Sequence, residues 1–169
     1  MNAITGSLSA TFTDAWTLLA SVLALVVLTA ILLIYALRGG RSGLISLILA
    51  MYAGYAIYAV FPFTDSLLKA GGTALVRTLM SMGIFIAATV LPFILIKRLT
   101  SAGFGSLSFV PNLVLSFFAA SFLLALGYQL FAISSIYPLT DALDSAFAPS
   151  QYFFYWFIAP LVCLFLFAR

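Results

Sequence analysis

Charge is so sparse along this chain, and so unevenly spaced, that long stretches carry none. Residues 15–37 form an uncharged run of 23 between Asp14 and Arg38, and residues 42–64 a second run of 23 between Arg41 and Asp65. Residues 78–96 give 19 between Arg77 and Lys97, residues 99–140 give 42, and residues 145–168 give 24. A helix needs roughly 20 apolar residues to cross the ~30 Å hydrocarbon core of a bilayer. Within the run of 42 only residues 110–137 are continuously apolar, and Gly103, Gly105, Ser106 and Ser108 mark a link before them. The runs predict an all-α, polytopic transmembrane bundle, one integral membrane domain over residues 1–169, with helices at 15–37, 43–62, 74–97, 110–136 and 151–168. The fifth is the shortest, and Pro160 inside it leaves a re-entrant or interfacial course open. A transmembrane barrel is the alternative. Its strands would alternate apolar and polar residues with a period of two. Residues 22–28, Val-Leu-Ala-Leu-Val-Val-Leu, do not alternate.

Composition agrees. Charged residues make up 7% of the 169 and hydrophobic residues 65%, whereas an ordinary soluble domain carries about 25% charged residues. Seven Lys and Arg and four Asp cannot cover a water-soluble protein of this size. A soluble globular domain, a disordered tail and a nucleic-acid module are excluded, and no nucleic-acid partner is expected. The single cysteine, Cys163, rules out an internal disulfide and a thiolate metal cluster.

The basic residues sit at the ends of apolar runs, where orientation signals belong. Arg38 and Arg41 flank Gly39-Gly40, Lys97 and Arg98 open the third link, and Arg169 ends the chain. The other ends carry Asp14, the Asp65/Lys69 loop and the Asp141/Asp144 loop. Arg38, Arg41, Lys97 and Arg98 are therefore the topology-determining residues. They predict an N-terminus outside and a cytoplasmic C-terminus, with Lys69 and Arg77 as exceptions on the outer side. Residues 2–14 hold no Lys or Arg, so the first run is expected to be a retained helix rather than a secretory signal. Gly39-Gly40 should form a tight inner hairpin between antiparallel helices.

Small residues recur four apart, as Ala20/Ala24, Ala50/Gly54 and Ser116/Ala120. That spacing lets helix backbones approach closely in lipid, either inside one bundle or at an assembly interface. Tyr52, Tyr55 and Tyr58 share a slowly drifting face of the second helix. They form either a polar seam or simple packing with an outer aromatic belt. Arg77 lies about one turn inside the third span. It either snorkels to headgroup level or pairs with Asp65, Asp141 or Asp144. Arg77 and the three tyrosines are the candidate functional residues. Pro92 and Pro160 each remove a backbone hydrogen bond inside a helix, and Pro111 reads as a first-turn proline. Gln129 lies 18 residues beyond Pro111, about 27 Å along a helix, near the outer surface.

No catalytic set is evident. The sequence has no His and no Glu, and its four Asp residues sit at the ends of spans. No metal set, phosphate-cradling loop or serine with a base appears. Two outer Asp residues are too few to hold a cation. Neither catalytic, cofactor nor metal residues are assigned.

Residues 34–47 read Ile-Tyr-Ala-Leu-Arg-Gly-Gly-Arg-Ser-Gly-Leu-Ile-Ser-Leu: an apolar helix ends in a short Arg/Gly hairpin and a second helix begins. A third helix closing on Lys97-Arg98 follows, then a Gly/Ser link and a fourth helix after Val110-Pro111-Asn112-Leu113. Residues 148–154, Ala-Pro-Ser-Gln-Tyr-Phe-Phe, form an outer aromatic segment. Over about residues 15–136 the chain resembles the colicin V production (CvpA-like) family of membrane proteins. The resemblance implies a small bacterial inner-membrane protein without known catalysis, from a family associated with export of a peptide toxin and with envelope maintenance.

The expected function is therefore a non-enzymatic accessory or scaffold component of the inner membrane. Its partners would be membrane lipids and further copies of itself or other membrane proteins, and no cofactor is expected. The alternatives are a channel or transporter subunit, or a small helical subunit of a larger complex.

Overall fold

The computed structural model describes residues 2–100, 109–131 and 141–167, without the side chains of 2–21, 41, 70, 100, 141 and 142. The described residues form helices α1 (Asn2–Val60), α2 (Thr64–Ala70), α3 (Ala74–Thr100), α4 (Phe109–Phe131), α5 (Asp141–Phe147) and α6 (Ser150–Phe167). Five stretches are long and apolar enough to cross a membrane: Val22–Gly40, Ser42–Val60, Ala74–Leu99, Phe109–Phe131 and Ser150–Phe167. Five such helices suggest a multi-pass membrane protein.

The first two stretches are the arms of α1, which turns at Gly40. That residue has φ 70° and ψ 175°, the left-handed region that a Cβ disfavours. The expected hairpin is thus made by one glycine. The arms then run in opposite directions along α4. Leu32 and Ala36 of the first arm pack with Leu44, Ile45 and Ile48 of the second and with Leu115 and Ala119 of α4. Farther from the turn, Ala24 and Leu25 meet Ala125 and Tyr128 of α4. On the other side, Met51 and Tyr58 of the second arm meet Phe122, Leu126 and Phe131. Helix α3 returns along the second arm, and α6 along α4, with Cys163 and Leu164 reaching the cluster by the turn. One end of the bundle therefore carries the Gly40 turn together with the Lys97-Arg98 end of α3. The other carries α2 and α5.

Helix α4 and the second arm are the centre. Half of each apolar window is buried, against 17% for the first arm, α3 and α6. The small-residue pairs explain the tight centre. Ala50 and Gly54 are buried, and a Cβ on Gly54 would lie 3.0 Å from Thr89 Cα. Ser116 and Ala120 are fully buried in α4. These two pairs pack inside the chain.

Three features differ from the sequence expectation. Helix α1 starts at Asn2, so Asp14 falls within it instead of preceding it. Residues 2–20 lack proline, and a helix once nucleated propagates one bond per residue. The Asp65/Lys69 segment is a short helix, α2, with Asp65 in its first turn and Lys69 in its last. The Asp141/Asp144 segment is also helical, as α5, because Leu143 and Phe147 recur one turn apart and both are buried. The end of the fourth predicted helix, at 132–136, lies outside the described residues. Pro111 stands in the first turn of α4, and Pro92 and Pro160 are buried within α3 and α6.

Candidate functional site

The tyrosine face of the second arm is an interhelical seam. Tyr52 stacks on Phe122 of α4, with centroids 4.6 Å apart, and meets Phe157 of α6 edge-on. Its hydroxyl donates to the Phe157 carbonyl. Tyr55 packs against Phe153 and Phe157. Tyr58 is buried, and its hydroxyl bonds Ser81 Oγ of α3 at 2.6 Å. The steps of three residues fan the rings across neighbouring helices: Tyr52 and Tyr55 reach α6, and Tyr58 reaches α3. With no water in the hydrocarbon core, a buried phenol needs such a partner inside the protein.

Tyr58 belongs to a second polar strip that the sequence reading missed. Thr78 Oγ1 donates to the Phe131 carbonyl at 2.9 Å, and Ser81 Oγ to the Leu130 carbonyl at 3.4 Å. These two carbonyls belong to the last described turn of α4, so both hydroxyls of α3 tie it to that helix. Thr78 and Ser81 are three apart, so one face of α3 presents both hydroxyls. That spacing was the available signal, and it is ordinary in a chain rich in small polar residues. Elsewhere hydroxyls bond back within their own helix, as Ser46 does to the Ser42 carbonyl and Ser121 to the Phe117 carbonyl.

Arg77 is exposed in the first turn of α3. Its stem lies beside Gly71, where an added Cβ would come within 2.8 Å of Arg77 Cγ. Together with Leu68, Thr78, Ser81 and Phe131 it lines a hollow of about 230 Å³. Among the described residues no carboxylate pairs with it. Of its predicted partners, Asp144 accepts from Tyr128, Asp65 sits on α2, and the Asp141 side chain lies outside the described residues.

The other basic residues are terminal. Arg38 is exposed two residues before the Gly40 turn, and Lys97 and Arg98 are exposed in the last turn of α3. Lys97 Nζ lies 5.6 Å from the centre of the Phe93 ring, within cation–π range. The Arg41 side chain lies outside the described residues. Arg38, Lys97 and Arg98 thus share the Gly40 end of the bundle.

At the opposite end α5 is held by polar ties and stacked rings. Tyr128 donates to Asp144 Oδ1 at 2.6 Å, Trp156 Nε1 to the Ala146 carbonyl at 2.9 Å, and Gln129 Nε2 to the Ala148 carbonyl at 3.1 Å. Phe147 stacks between Tyr128 and Trp156 at 6.2 and 4.7 Å. Gln129, expected near a surface, is exposed yet serves as a strut. Tyr128→Phe is expected to loosen α5 by about 1 kcal/mol, the usual net worth of one hydrogen bond. Faster amide exchange confined to residues 143–147 would report it; unchanged exchange would show that the bond contributes nothing.

Four buried polar atoms have no partner among the described residues: Thr29 Oγ1, Tyr35 OH, Asn112 Oδ1 and Ser116 Oγ. Asn112 and Ser116 lie one turn apart on α4. None of the four is charged. Among the described residues no three His, Cys, Asp or Glu side chains gather as metal ligands would. Chemically, the arrangement offers hydrogen-bonded helix contacts and, beside a hollow, an arginine with no carboxylate partner among the described residues.

No family model, no curated protein and no solved structure matches the chain.

Proposed function

We propose that the chain is a non-enzymatic, multi-pass protein of the bacterial inner membrane, with its N-terminus outside and its C-terminus cytoplasmic. It acts as an accessory or scaffold component in envelope maintenance or export. The observation that carries the scaffold reading is the apolar outer face of the bundle. Leu23, Val26, Ile31 and Ile34 of the first arm and Leu79, Ile86, Leu91 and Ile94 of α3 are all exposed. Contiguous apolar surface of this kind marks a lipid or protein contact. In lipid, helices associate through van der Waals packing and small residues, and these faces are available for it. The hydroxyls of Tyr52 and Tyr58 are engaged within the bundle, which favours scaffolding over conduction. The orientation rests on Arg38, Arg41, Lys97 and Arg98. The envelope and export assignment rests on the resemblance carried by residues 34–47.

Purification in mild detergent followed by native mass measurement tests the scaffold role. Multiples of 18.2 kDa, or membrane proteins that co-purify, are expected. A lone 18.2 kDa monomer would overturn it. Tags on the two termini test the orientation: only the N-terminal tag should be labelled in cells with an intact inner membrane. Labelling of both tags, or of neither, would overturn that part.

A further inference from the structure

A groove of about 420 Å³ lies between the first arm of α1, α3 and α4. Ala24 and Leu28 form one wall, Phe85 and Ile86 the other, and Leu124 and Gly127 belong to the α4 side. All six belong to apolar windows long enough to cross a membrane. The volume falls within the ~300–1,000 Å³ of ordinary ligand sites. Ile86 is 59% exposed, so the groove opens sideways, toward whatever surrounds the helices at that depth.

The groove does not stand alone. Phe131 lines both it and the hollow beside Arg77. On α3, Thr78 and Ser81 of the hollow each lie four residues before Met82 and Phe85 of the groove, so the two spaces occupy successive turns of one helix. An apolar slot at membrane depth thus adjoins a hollow near the end of the span that Arg77, Thr78 and Ser81 line beside apolar residues. Arg77 in that hollow has no carboxylate partner among the described residues, and the next charge along the chain, Lys69 on α2, is also positive.

We propose that this composite space binds one anionic phospholipid, an acyl chain in the groove and the phosphate at Arg77. Charge complementarity selects the occupant. A second helix would fill the groove but leave the guanidinium unmatched, whereas an anionic headgroup joined to an acyl chain satisfies both parts. Guanidinium groups match phosphate oxygens by bidentate hydrogen bonding. The Thr78 and Ser81 hydroxyls are already donated to α4 carbonyls, so the headgroup contact falls to Arg77.

The test is native mass spectrometry of the detergent-purified full chain, titrated with phosphatidylglycerol or phosphatidylcholine of identical acyl chains. One basic residue at an anionic lipid surface corresponds to about fivefold in affinity, so the wild type should retain phosphatidylglycerol about fivefold better. Arg77→Gln, at an exposed position, should bring the two lipids level. Ala24→Phe and, independently, Ile86→Trp should reduce retained phosphatidylglycerol while Arg77 is intact, with circular dichroism showing the helices unchanged. Equal retention of both lipids by the wild type would overturn the proposal, as would a preference that survives Arg77→Gln. Displacement of the lipid by inorganic phosphate would overturn it in favour of a soluble anion. A change of oligomeric state in the groove variants, with lipid retention unaltered, would overturn it in favour of a second copy of the chain.

Discussion

Gly54→Leu will separate α3 from the second arm of α1. A Cβ at Gly54 would fall on Thr89 Oγ1 and within 3.0 Å of both Thr89 Cα and Cβ, so even alanine forces backbone apart. Thr89 cannot swing clear without losing the 2.8 Å bond its hydroxyl donates to the Phe85 carbonyl. Overpacking of this kind costs about 1–3 kcal/mol and occasionally more. Alanine should fall within that range and leucine above it, because its branched end meets backbone rather than a flexible side chain. The helices have no hydrophobic drive toward each other in lipid, so no compensating gain opposes the separation. Titration of mixed micelles with dodecyl sulfate, followed by circular dichroism, should show Gly54→Leu unfolding well before the wild type. Thr89→Ala should recover part of the loss in Gly54→Ala, giving a coupling of about 1 kcal/mol between neighbours. Coincident unfolding of wild type and Gly54→Leu would mean that α3 does not approach the second arm here.

The second large effect is expected at the other end of the bundle. Phe147 is 2% exposed and stacked between Tyr128 and Trp156. Truncation of a buried phenylalanine to alanine costs about 3–5 kcal/mol. The described part of α5 has seven residues, far fewer than an isolated helix needs to persist. Its order therefore comes from docking through Leu143, Phe147 and the Asp144 carboxylate. Phe147→Ala should release α5 and leave α4 and α6 packed. Amide exchange over residues 143–147 should accelerate about a hundredfold or more, while the α4 core holds its protection. Phe165→Ala, at a side chain 77% exposed, should change little. Unaltered exchange in α5 would show that its order does not depend on the Phe147 stack.

Much of this architecture could be read along the chain, and the reasons are particular. Gly40 lies between Arg38 and Arg41, where two charges interrupt a 46-residue apolar stretch (23 on either side), so the turn could fall nowhere else. Lys97 and Arg98 close α3 as they stop the apolar run. The two short helices were hidden. Seven-residue segments such as α2 and α5 have too few turns for a period to stand out, and their polar residues read as loop. Asp144 looked like loop charge, yet Tyr128, sixteen residues earlier, is what binds it. Arg77 was conspicuous because a charge at that depth is costly. The hollow beside it was not, since its lining residues Leu68, Thr78 and Phe131 come from three separate helices.

Residue order alone was enough to establish that lipid-length apolar helices exist, where charge interrupts them, and where the chain must double back. Those properties depend only on the spacing of charges and glycines along one dimension. The tertiary structure decided which faces meet: Gly54 against Thr89, Tyr52 on Phe122, and a groove left open between the first arm and α3. A span that is apolar all round has no preferred face in its pattern. Only the volumes of its side chains, and the few hydroxyls that need a partner away from water, can choose one.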